Sequence, residues 1–292
     1  MRIAIYGRLL KPEDIPYLQQ LFDLLASYEI DALVHKNYFN QLKSKVTFKK
    51  DIDTFKTHQD IRKGVDYMLS LGGDGTLLDT LTLVRNSNIP ILGINLGRLG
   101  FLASTGKEDI TSAIESLYYK TYQVDKRTLL HLDSNKPIFG GVNYALNEFS
   151  IHKKDTSSMI TIHTYINGEL LNSYWADGLI IATPTGSTGY NLSCGGPIIF
   201  PSSENFVITP VAPHNLNVRP IIVSSESVLS FEVEGRNESF LCTLDSRYEA
   251  IDSSYQLAVK KENFTVSLIR INDMNFLSTI RNKLMWGADQ RN

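Results

Sequence analysis

The stretch that most constrains the fold is a glycine cluster with a carboxylate at its centre, Gly72-Gly73-Asp74-Gly75-Thr76. The segment Val65-Asp66-Tyr67-Met68-Leu69 precedes it and predicts a buried strand, and apolar residues at helical spacing follow it from Leu77 to Val84. A strand, a glycine-rich turn and a helix in this order direct backbone N–H groups at a phosphate. Glycines also lack the Cβ atom that would keep a ligand away from the backbone. The stretch therefore predicts a phosphate-binding turn within an α/β fold.

Asp74 is the unusual member of this turn, because a carboxylate repels a phosphate. Its presence is reasonable if it binds a hydroxyl group that is about to be phosphorylated, or if it binds a metal ion. A tight turn with a solvated aspartate is the simpler alternative. The turn alone does not decide among these three interpretations.

Strands and helices alternate through the first half of the chain, which predicts a parallel sheet with right-handed crossovers. Ile3 to Tyr6 and Ile30 to Val34 have the pattern of short strands, and an amphipathic helix is predicted between them from Ile15 to Leu25. Residues 36–62 are more polar and weakly patterned, and we expect a variable loop or lid there with room for a short helix. The predicted domain is a Rossmann-like parallel α/β fold.

A second glycine-rich turn, Gly97 to Leu102, follows the fourth predicted strand, Ile89 to Asn95. Thr105 and Glu108 then have the spacing of a capping box. They precede residues 110–117, where apolar side chains recur at helical spacing. Ligands of parallel sheets bind beyond the carboxyl ends of the strands. Both glycine-rich turns are therefore expected at one nucleotide-sized site.

The pattern changes near residue 125, and from Thr128 onward the chain has short β-branched runs with period-two alternation. Asn167-Gly168 separates two such runs and is a strong hairpin signal. A helical pattern returns only from Asn275 to Trp286, with an expected apolar face of Phe276, Leu277, Ile280 and Leu284. We therefore predict an α/β domain over residues 1–125, an antiparallel, β-sandwich-like domain over residues 126–271, and a final helix within residues 272–292 that returns to the first domain.

The composition excludes several classes of function. A formal net charge of −2 over 292 residues, without a clustered basic patch, gives no sign of nucleic-acid binding. No run approaches the roughly 18 to 20 apolar residues that a membrane-spanning helix requires, and the N-terminus lacks a signal-peptide pattern. Cys194 and Cys242 are too few for a disulfide framework and suit a reducing compartment. We expect a soluble, cytoplasmic protein without a nucleic-acid or membrane partner.

Two stretches of the second half depart from the strand pattern. Asn147-Glu148 is a polar pair between apolar runs, which alone is uninformative because such pairs are common in turns. From Asp177 to Ser193 a buried strand enters a loop of glycine and small hydroxyl residues, which a flexible linker would resemble except for the flanking Ile180-Ile181 and Tyr190. Hydroxyl groups both donate and accept hydrogen bonds, which suits ribose, amide and adenine groups. The residues with such hydroxyl groups are Thr183, Thr185, Ser187, Thr188 and Ser193.

Together these motifs resemble the NAD kinase family over nearly the full length of the chain. That family pairs Gly-Gly-Asp-Gly-Thr, here Gly72 to Thr76, with an Asn-Glu pair, here Asn147-Glu148. It also carries Asp-Gly…Thr-Pro-x-Gly-Ser-Thr-x-Tyr-Asn-Leu-Ser, which matches Asp177 to Ser193. Its second glycine-rich turn matches Leu92 to Asn95 with Gly97 and Gly100-Phe101, and a further segment matches Pro213-His214 with Arg219-Pro220. Diacylglycerol kinases, sphingosine kinases and phosphofructokinases share the Gly-Gly-Asp-Gly element. The second loop is what singles out NAD kinases.

The resemblance implies transfer of the γ-phosphoryl group of ATP to the 2′-hydroxyl of the adenosine ribose of NAD, which gives NADP. It implies that Asp74 is the general base for that hydroxyl, and that Mg²⁺ is bound mainly through the ATP phosphates, with no protein ligand assigned to the metal. It also implies a homodimer or homotetramer. The residues that it implies to bind the substrates are Gly73, Gly75, Thr76, Phe101, Asn147, Glu148, Asp177, Thr185, Thr188, Gly189, Tyr190, Ser193, Ala212, Asp245 and Arg247.

Within this set the resemblance implies more specific roles. Asn147 is expected to hydrogen-bond adenine, with Glu148 directed toward the ribose. The residues expected to line the adenine and ribose pocket are Phe101, Thr185, Thr188 and Tyr190, and those expected at the nicotinamide end are Asp177, Gly189 and Ser193.

The chain departs from the family pattern at two positions. Gly189 stands where the family commonly has Ala, and Asp245-Ser246-Arg247 stands where many members have Asp-Gly-Gln. Arg247 is open to two interpretations, a phosphate clamp or a surface or intersubunit salt bridge. Two other functions remain as alternatives: a diacylglycerol-type lipid kinase, which the hydroxyl-rich loop disfavours, and a non-catalytic dinucleotide-binding sensor, which could tolerate the loss of Asp74.

The remaining candidate residues carry weaker signals. His131, His152 and His163 lie in strand patterns without metal-ligand spacing, so we interpret them as residues of strand faces. His214 lies in a family-matching segment and is equally compatible with a place beside the site or away from it. Cys194 neighbours the ligand loop without a basic partner nearby in sequence, so we expect a small packing residue.

Overall fold

The chain divides into two units in a computed structural model, in which residues 1–154, 158–235, 239–271 and 276–286 are described. The first unit comprises Met1–Lys126 and Val266–Asn292, and the second comprises Arg127–Thr265. Each unit has its own large cluster of buried apolar side chains. Each unit therefore has a hydrophobic core of its own, as a domain requires.

A parallel sheet forms the centre of the first unit. Its strands are β1 (Arg2–Gly7), β2 (Asp31–His35), β3 (Asp53–Phe55), β4 (Tyr67–Leu71), β5 (Ile91–Asn95) and β6 (Thr105–Gly106). They lie in the order β3, β2, β1, β4, β5, and β6 pairs with β5. Every residue of β4 and β5 is buried, as is typical of parallel strands that are covered on both faces. The prediction of a Rossmann-like domain is confirmed.

Helices connect these strands and cover the sheet. They are α1 (Ile15–Ser27), α2 (Lys36–Leu42), α3 (His58–Ile61), α4 (Asp74–Val84) and α5 (Ile110–Tyr119). The predicted apolar face of α1 is confirmed, because Leu18, Leu21 and Leu25 are buried. The buried residues of α1 and α5 belong to the same apolar cluster.

Residues 36–62 contain more regular structure than the expected loop or lid. They form α2, the edge strand β3 and α3, and β3 pairs in parallel with β2. Tyr38, Leu42 and Phe55 are almost completely buried. These elements are too short to show a periodic pattern in the sequence. Their structure depends on pairing and packing with the rest of the first unit.

The predicted capping box at Thr105 and Glu108 is wrong. Thr105 belongs to β6 and pairs with Ile94, and the residues after it form a short 3-10 helix whose N-cap, Gly106, has no side chain to cap it. A capping box does form at the start of α3, where the side chain of Asp60 accepts the backbone N–H of Thr57 at 2.9 Å.

Two antiparallel sheets form the second unit, as predicted. Its strands are β7 (Gln123–Ser134), which begins in the first unit, β8 (Tyr144–Ala145), β9 (Glu148–Lys153), β10 (Ile160–Ile166), β11 (Glu169–Ala176), β12 (Gly178–Ala182), β13 (Asn205–Val211), β14 (Ile221–Ser224), β15 (Leu229–Glu234), β16 (Phe240–Leu244), β17 (Arg247–Ile251) and β18 (Leu257–Arg270), which ends in the first unit. One sheet has the order β11, β10, β15, β18, and the other has the order β14, β13, β12, β9, β16, β17. Phe149 on β9 and Phe231 on β15 pack 5.7 Å apart in one apolar cluster, which gives a β-sandwich.

Smaller features of the prediction vary in outcome. Asn167 and Gly168 have positive φ angles of 52° and 86° between β10 and β11, which confirms the hairpin. The hydroxyl-rich loop contains one helical turn, α6 (Tyr190–Ser193). The final helix, α7 (Phe276–Leu284), lies in the first unit as predicted, but Leu277 is 48% exposed and does not belong to its buried face.

The predicted start of this helix, Asn275, lies outside the described residues. Among the helices of the described residues, none combines the length and apolar character that crossing a membrane would need.

Candidate functional site

The glycine-rich turn of the first unit joins the end of β4 to the first residue of α4. Gly72 has a φ of +147°, and a Cβ atom there would lie 2.4 Å from Oγ1 of Thr76. Gly73 is the N-cap of α4, and a Cβ atom on it would meet no atom within 4 Å. The first N–H groups of a helix lack partners within the helix. The open space before α4 therefore suits an anion such as a phosphate.

The carboxylate of Asp74 accepts three backbone N–H groups from the second glycine-rich turn. The nitrogen of Phe101 lies 2.8 Å from Oδ2, and the nitrogens of Leu102 and Ala103 each lie 3.0 Å from Oδ1. These bonds require glycine at position 100, because a Cβ atom on Gly100 would lie 1.9 Å from Oδ1 of Asp74. Asp74 thus ties together the two turns that the sequence places at one edge of the sheet.

This bonding contradicts the interpretation of Asp74 as a solvated residue of a tight turn. Three N–H groups hold its carboxylate in one orientation, and Oδ2 accepts only one of them. Because a carboxylate oxygen has two lone pairs, Oδ2 keeps the capacity to accept a hydroxyl proton. The arrangement can therefore orient and deprotonate an alcohol.

A cavity of about 310 Å³ lies beside the glycine-rich turn, beyond the ends of β1, β4 and β5. Its lining includes three cationic side chains, Arg8, Lys11 and Arg98, and one acidic side chain, Asp14. None of these four residues was predicted as a site residue. Isolated charged residues after a strand carry no motif, and only the order of the strands brings them together.

In the second unit, Asn147 and Glu148 stand at the start of β9 on a turn that Asp245 fixes. The carboxylate of Asp245 accepts the N–H groups of Leu146, Asn147 and Glu148 at 2.9, 2.8 and 3.3 Å. Burial raises the pKa of Asp245, and the three N–H groups oppose that rise. Asp245 therefore braces the backbone of the Asn-Glu pair, a role that its family motif does not reveal.

The side chains of this pair each carry a buried oxygen without a hydrogen-bond partner among the described residues, Oδ1 of Asn147 and Oε2 of Glu148. Buried polar atoms almost always have partners, so these two are candidates for ligand contacts. Burial, followed by the charge of Asp245, raises the pKa of Glu148 to about 8, against the effect of the Tyr190 N–H. At neutral pH this carboxyl group is therefore mostly protonated, and it can donate as well as accept a hydrogen bond.

Gly189 leaves space beside these two side chains. A Cβ atom at this position would lie 3.1 Å from Oε2 of Glu148 and 3.6 Å from Nδ2 of Asn147. The first distance is tighter than an ordinary van der Waals contact. The glycine that replaces the common family alanine therefore gives the Glu148 carboxyl group more room.

The hydroxyl-rich loop uses two of its hydroxyl groups to hold itself together. Thr183 donates to the carbonyl of Leu146 at 2.5 Å and accepts from Gly186, and Ser187 accepts the N–H of Ile199 at 3.0 Å. Thr183 and Ser187 are completely buried. The expectation that these two residues offer hydroxyl groups to a ligand is therefore wrong.

The other predicted residues of this loop differ in their exposure. Thr188 is half-buried and donates to the carbonyl of Thr185, and Ser193 is exposed on α6. Thr185 is buried, and its hydroxyl accepts Nη1 of Arg127 at 3.2 Å. Tyr190 is 40% exposed, and its ring packs 5.5 Å from the ring of His152.

Buried polar residues that the sequence did not single out support this loop. Asn191 donates to the carbonyls of Ser187 and Pro197 at 3.0 Å each, and its Oδ1 accepts the hydroxyl of Thr209 at 2.6 Å. Asn191 was visible within the family motif, but Thr209 lies on β13 and has no local signal. The loop is therefore braced by side-chain bonds to its own backbone and to the neighbouring strand.

The remaining predicted residues have varied surroundings within the second unit. Asp177 forms an ion pair with Lys153 at 2.5 Å, and Ala212 is exposed with a φ of +45°. Arg247 donates to the carbonyls of Val142 and Tyr144. The guanidinium of Arg247 thus contacts backbone oxygens of its own unit, which neither interpretation of its sequence position describes.

The weaker candidates lie in structural surroundings. His131, His152 and His163 belong to β7, β9 and β10. Within the described residues no group of three or more His, Cys, Asp or Glu side chains could hold a metal ion. Cys194 packs against a small apolar cluster of the second unit, and burial raises the pKa of its thiol. His214 packs on Trp175 with ring centroids 4.2 Å apart.

Both halves of the chain match models of one protein family. Residues 3–122 match the ATP-NAD kinase N-terminal domain, and residues 146–271 match the ATP-NAD kinase C-terminal domain. The chain is 50% identical to an NAD kinase of Cytophaga hutchinsonii, 46% identical to one of Flavobacterium psychrophilum and 41% identical to one of Bacteroides fragilis. Each of these matches covers 100% of this chain and 100% of the relative.

Solved structures show the same fold at lower sequence identity. Yeast NADH kinase complexed with NADH superposes with a TM-score of 0.88 at 22% identity, over 99% of this chain and 88% of that chain. An NAD kinase from Archaeoglobus fulgidus in complex with ATP has a TM-score of 0.74 at 21% identity, over 98% and 99% of the two chains. These comparisons lend no support to the lipid kinase or sensor alternatives. By its family models and its full-length relatives, the chain belongs to the NAD kinase family.

Proposed function

We propose that this chain transfers the γ-phosphoryl group of ATP to the 2′-hydroxyl of the adenosine ribose of NAD. The bond between the γ-phosphorus and its bridging oxygen breaks, a bond to the ribose 2′-oxygen forms, and the hydroxyl proton passes to a base. The products are NADP and ADP. The observation that carries the proposal is the pair of unpartnered buried oxygens on Asn147 and Glu148.

These two atoms suit the adenosine part of NAD. Oδ1 of Asn147 can accept a hydrogen bond from the exocyclic amine of adenine, and a neutral Glu148 can exchange hydrogen bonds with a ribose hydroxyl. An unpaired buried polar group costs roughly 1 to 3 kcal/mol. A ligand that pairs both atoms removes that cost, and one without these groups does not. The ribose and amide contacts of the nearby loop would come from Thr185, Thr188, Gly189 and Tyr190.

Asp74 is the general base of the proposed reaction. Its carboxylate is oriented by three N–H groups and retains a lone pair on Oδ2. A positioned base of this kind typically contributes about 10² to 10⁴ in rate. The N–H groups of Gly73 and Gly75 at the start of α4 would bind phosphate oxygens. Thr76 lines the same cavity, but its N–H already donates to the carbonyl of Gly73 at 2.9 Å.

Mg²⁺ is proposed to accompany ATP. The glycine-rich turn would hold the phosphates and not the ion, because backbone N–H groups bind phosphate oxygens but do not bind metals. A hard cation takes oxygen ligands, and the ATP phosphates would supply them. When bound, the ion would neutralise charge on the phosphates during transfer. The residues of this chain bind and orient the nucleotide and take up the proton.

A coupled assay tests the proposed function. Purified protein with ATP, Mg²⁺ and NAD is expected to form NADP, detected by a reaction that depends strictly on NADP. Diacylglycerol replaces NAD in a parallel assay and is expected to remain unphosphorylated. Absence of NADP, with phosphorylation of diacylglycerol instead, would overturn the proposal.

Two further properties belong to this proposal. The second unit exposes large apolar side chains, among them Leu216 at 81%, Trp175 at 51% and Ile222 at 50%, which supports a homodimer or homotetramer. Light scattering would refute this if the protein elutes as a monomer. Cys194 and Cys242 are free thiols, which supports a place in the reducing cytoplasm.

A further inference from the structure

Arg8 occupies a special position in the sheet of the first unit. The strand order β3, β2, β1, β4, β5 reverses direction between β1 and β4. Ligands of open α/β sheets bind in the crevice at such a reversal, outside the carboxyl ends of the two strands. Arg8 directly follows β1, and the glycine-rich turn directly follows β4. The side chain of Arg8 therefore starts at the crevice.

The guanidinium of Arg8 is held in place by α4. Its Nε donates to Oδ2 of Asp79, and its Nη2 donates to Oδ1 of Asp79 at 2.5 Å. The hydroxyl of Tyr6 also donates to Oδ2 of Asp79, at 3.2 Å. Burial raises the pKa of Tyr6 to about 12, so this hydroxyl remains a donor at neutral pH. Asp79 thus accepts three hydrogen bonds from two residues at the end of β1, Tyr6 and Arg8.

This bonding directs the third nitrogen of Arg8 toward the glycine-rich turn. A Cβ atom on Gly75 would lie 3.3 Å from Nη1 of Arg8. The Arg8 side chain is 44% exposed, and it lines the cavity of about 310 Å³ that the glycine-rich turn also lines. Lys11 and Arg98 line the same cavity, whereas its one acidic side chain, Asp14, is paired with Lys107 at 4.0 Å. The cavity therefore favours a ligand with several negative charges.

We propose that Arg8 binds the phosphate chain of the donor nucleotide, and that Asp79 and Tyr6 are positioning residues that hold its guanidinium beside the glycine-rich turn. The inference rests on the proposed function for the identity of the donor. Arginine presents several N–H groups in a planar fork, so two of them can bind Asp79 while Nη1 binds phosphate oxygens. Because Asp79 already fixes the guanidinium, less side-chain freedom is lost when the nucleotide binds.

Arg8→Gln is expected to weaken the binding of inorganic tripolyphosphate by about ten- to a hundredfold, since it removes a charge-assisted contact. In steady-state assays the KM for ATP is expected to rise by a similar factor, while the KM for NAD stays within about threefold. Arg8→Lys retains the charge but loses the fork, so its effect should be intermediate. This variant keeps the test valid if Arg8→Gln is unstable.

Arg2→Gln is the matched control. Arg2 lies at the amino end of β1 and forms an ion pair of the same type, with Asp53 at 2.7 Å. Its loss removes one positive charge and one ion pair from the same strand, but far along β1 from the glycine-rich turn. Its tripolyphosphate affinity and its KM for ATP are expected to match those of the wild type.

A double-mutant cycle tests the role of Asp79. Asp79→Asn is expected to raise the KM for ATP, and the double variant of Arg8→Gln with Asp79→Asn should be no worse than Arg8→Gln alone. Additive losses, or a matching rise in the KM for NAD, would show that Asp79 does not act through Arg8. Tyr6→Phe should also raise the KM for ATP, by a smaller factor than Asp79→Asn, without a matching rise in the KM for NAD.

Two outcomes separate this inference from the proposed function. Calorimetric titration with tripolyphosphate needs no turnover, so unchanged affinity in Arg8→Gln, or no binding by the wild type, overturns the assignment of Arg8. Absence of NADP from the wild type overturns the proposed function instead, and the tripolyphosphate result still decides whether Arg8 binds phosphates.

Discussion

Replacement of Glu148 by Gln is expected to remove a pH dependence from the stability of the protein. Burial and the charge of Asp245 raise the pKa of Glu148 from 4.5 to about 8. Between these values the folded state holds a proton that the unfolded state has released. The free energy of unfolding therefore falls as pH rises from about 4.5 to about 8, and levels off above that range.

The size of the effect follows from this shift. Each pH unit within the window changes the free energy of unfolding by about 1.4 kcal/mol. From pH 6 to pH 8 the loss is therefore about 2 to 3 kcal/mol, out of the roughly 5 to 15 kcal/mol by which a folded domain is usually stable. Glutamine keeps the shape of the side chain but cannot ionise. The wild type should therefore lose about 2 to 3 kcal/mol of unfolding free energy between pH 6 and pH 8 that the Glu148→Gln variant keeps.

Urea denaturation at several pH values measures the difference. The chain has two tryptophans, Trp175 and Trp286, and a Trp286→Phe background leaves Trp175 to report on the unit that contains Glu148. Glu169→Gln is the matched control, because Glu169 is exposed at the start of β11 and its loss should leave the pH profile unchanged. Parallel pH profiles for the Glu148→Gln variant and its parent would refute the reasoning.

Three other substitutions test the candidate site. Asp74→Asn is expected to lower turnover about a hundredfold or more while NAD affinity, measured by calorimetry, stays within several-fold. Asn147→Ala should weaken NAD binding by about 1 to 3 kcal/mol in the same titration, and unchanged affinity would remove Asn147 from the pocket. Gly100→Ala should abolish activity, since its Cβ atom would lie 1.9 Å from Oδ1 of Asp74, whereas Gly97→Ala should retain it because the nearest atom would be 3.8 Å away. Equal activity of the two glycine variants would contradict the link between the turns.

The parts of the fold that the sequence predicted are those whose signals are local. Continuous apolar runs marked β4 and β5 because every residue of these strands is buried. Asn167-Gly168 marked a hairpin because its two positive φ angles depend on the residues of the turn themselves. In each case the neighbouring residues contain the physical reason for the structure.

The features that were missed depend on residues far away in the chain. Thr183 and Ser187 have the composition of ligand-binding residues, but their hydroxyl groups bond to Leu146 and Ile199 instead. Residues 36–62 form elements too short to show a period, and β3 exists because it pairs with β2. Arg8 has no motif at all. Only the strand order brings it beside the glycine-rich turn, so local pattern cannot reveal it.

Asp74 and Asp245 make the same kind of contact, and the comparison separates a catalytic from a supporting carboxylate. Each accepts three backbone N–H groups of a distant turn. Asparagine at either position would set an amide NH₂ group against an N–H donor, so both variants should lose about 1 to 3 kcal/mol of stability. Asp245→Asn disturbs the Asn147-Glu148 turn and should mainly raise the KM for NAD. Only Asp74→Asn should lower kcat at saturating substrates, and equal losses of kcat would leave Asp74 with the supporting role that Asp245 has.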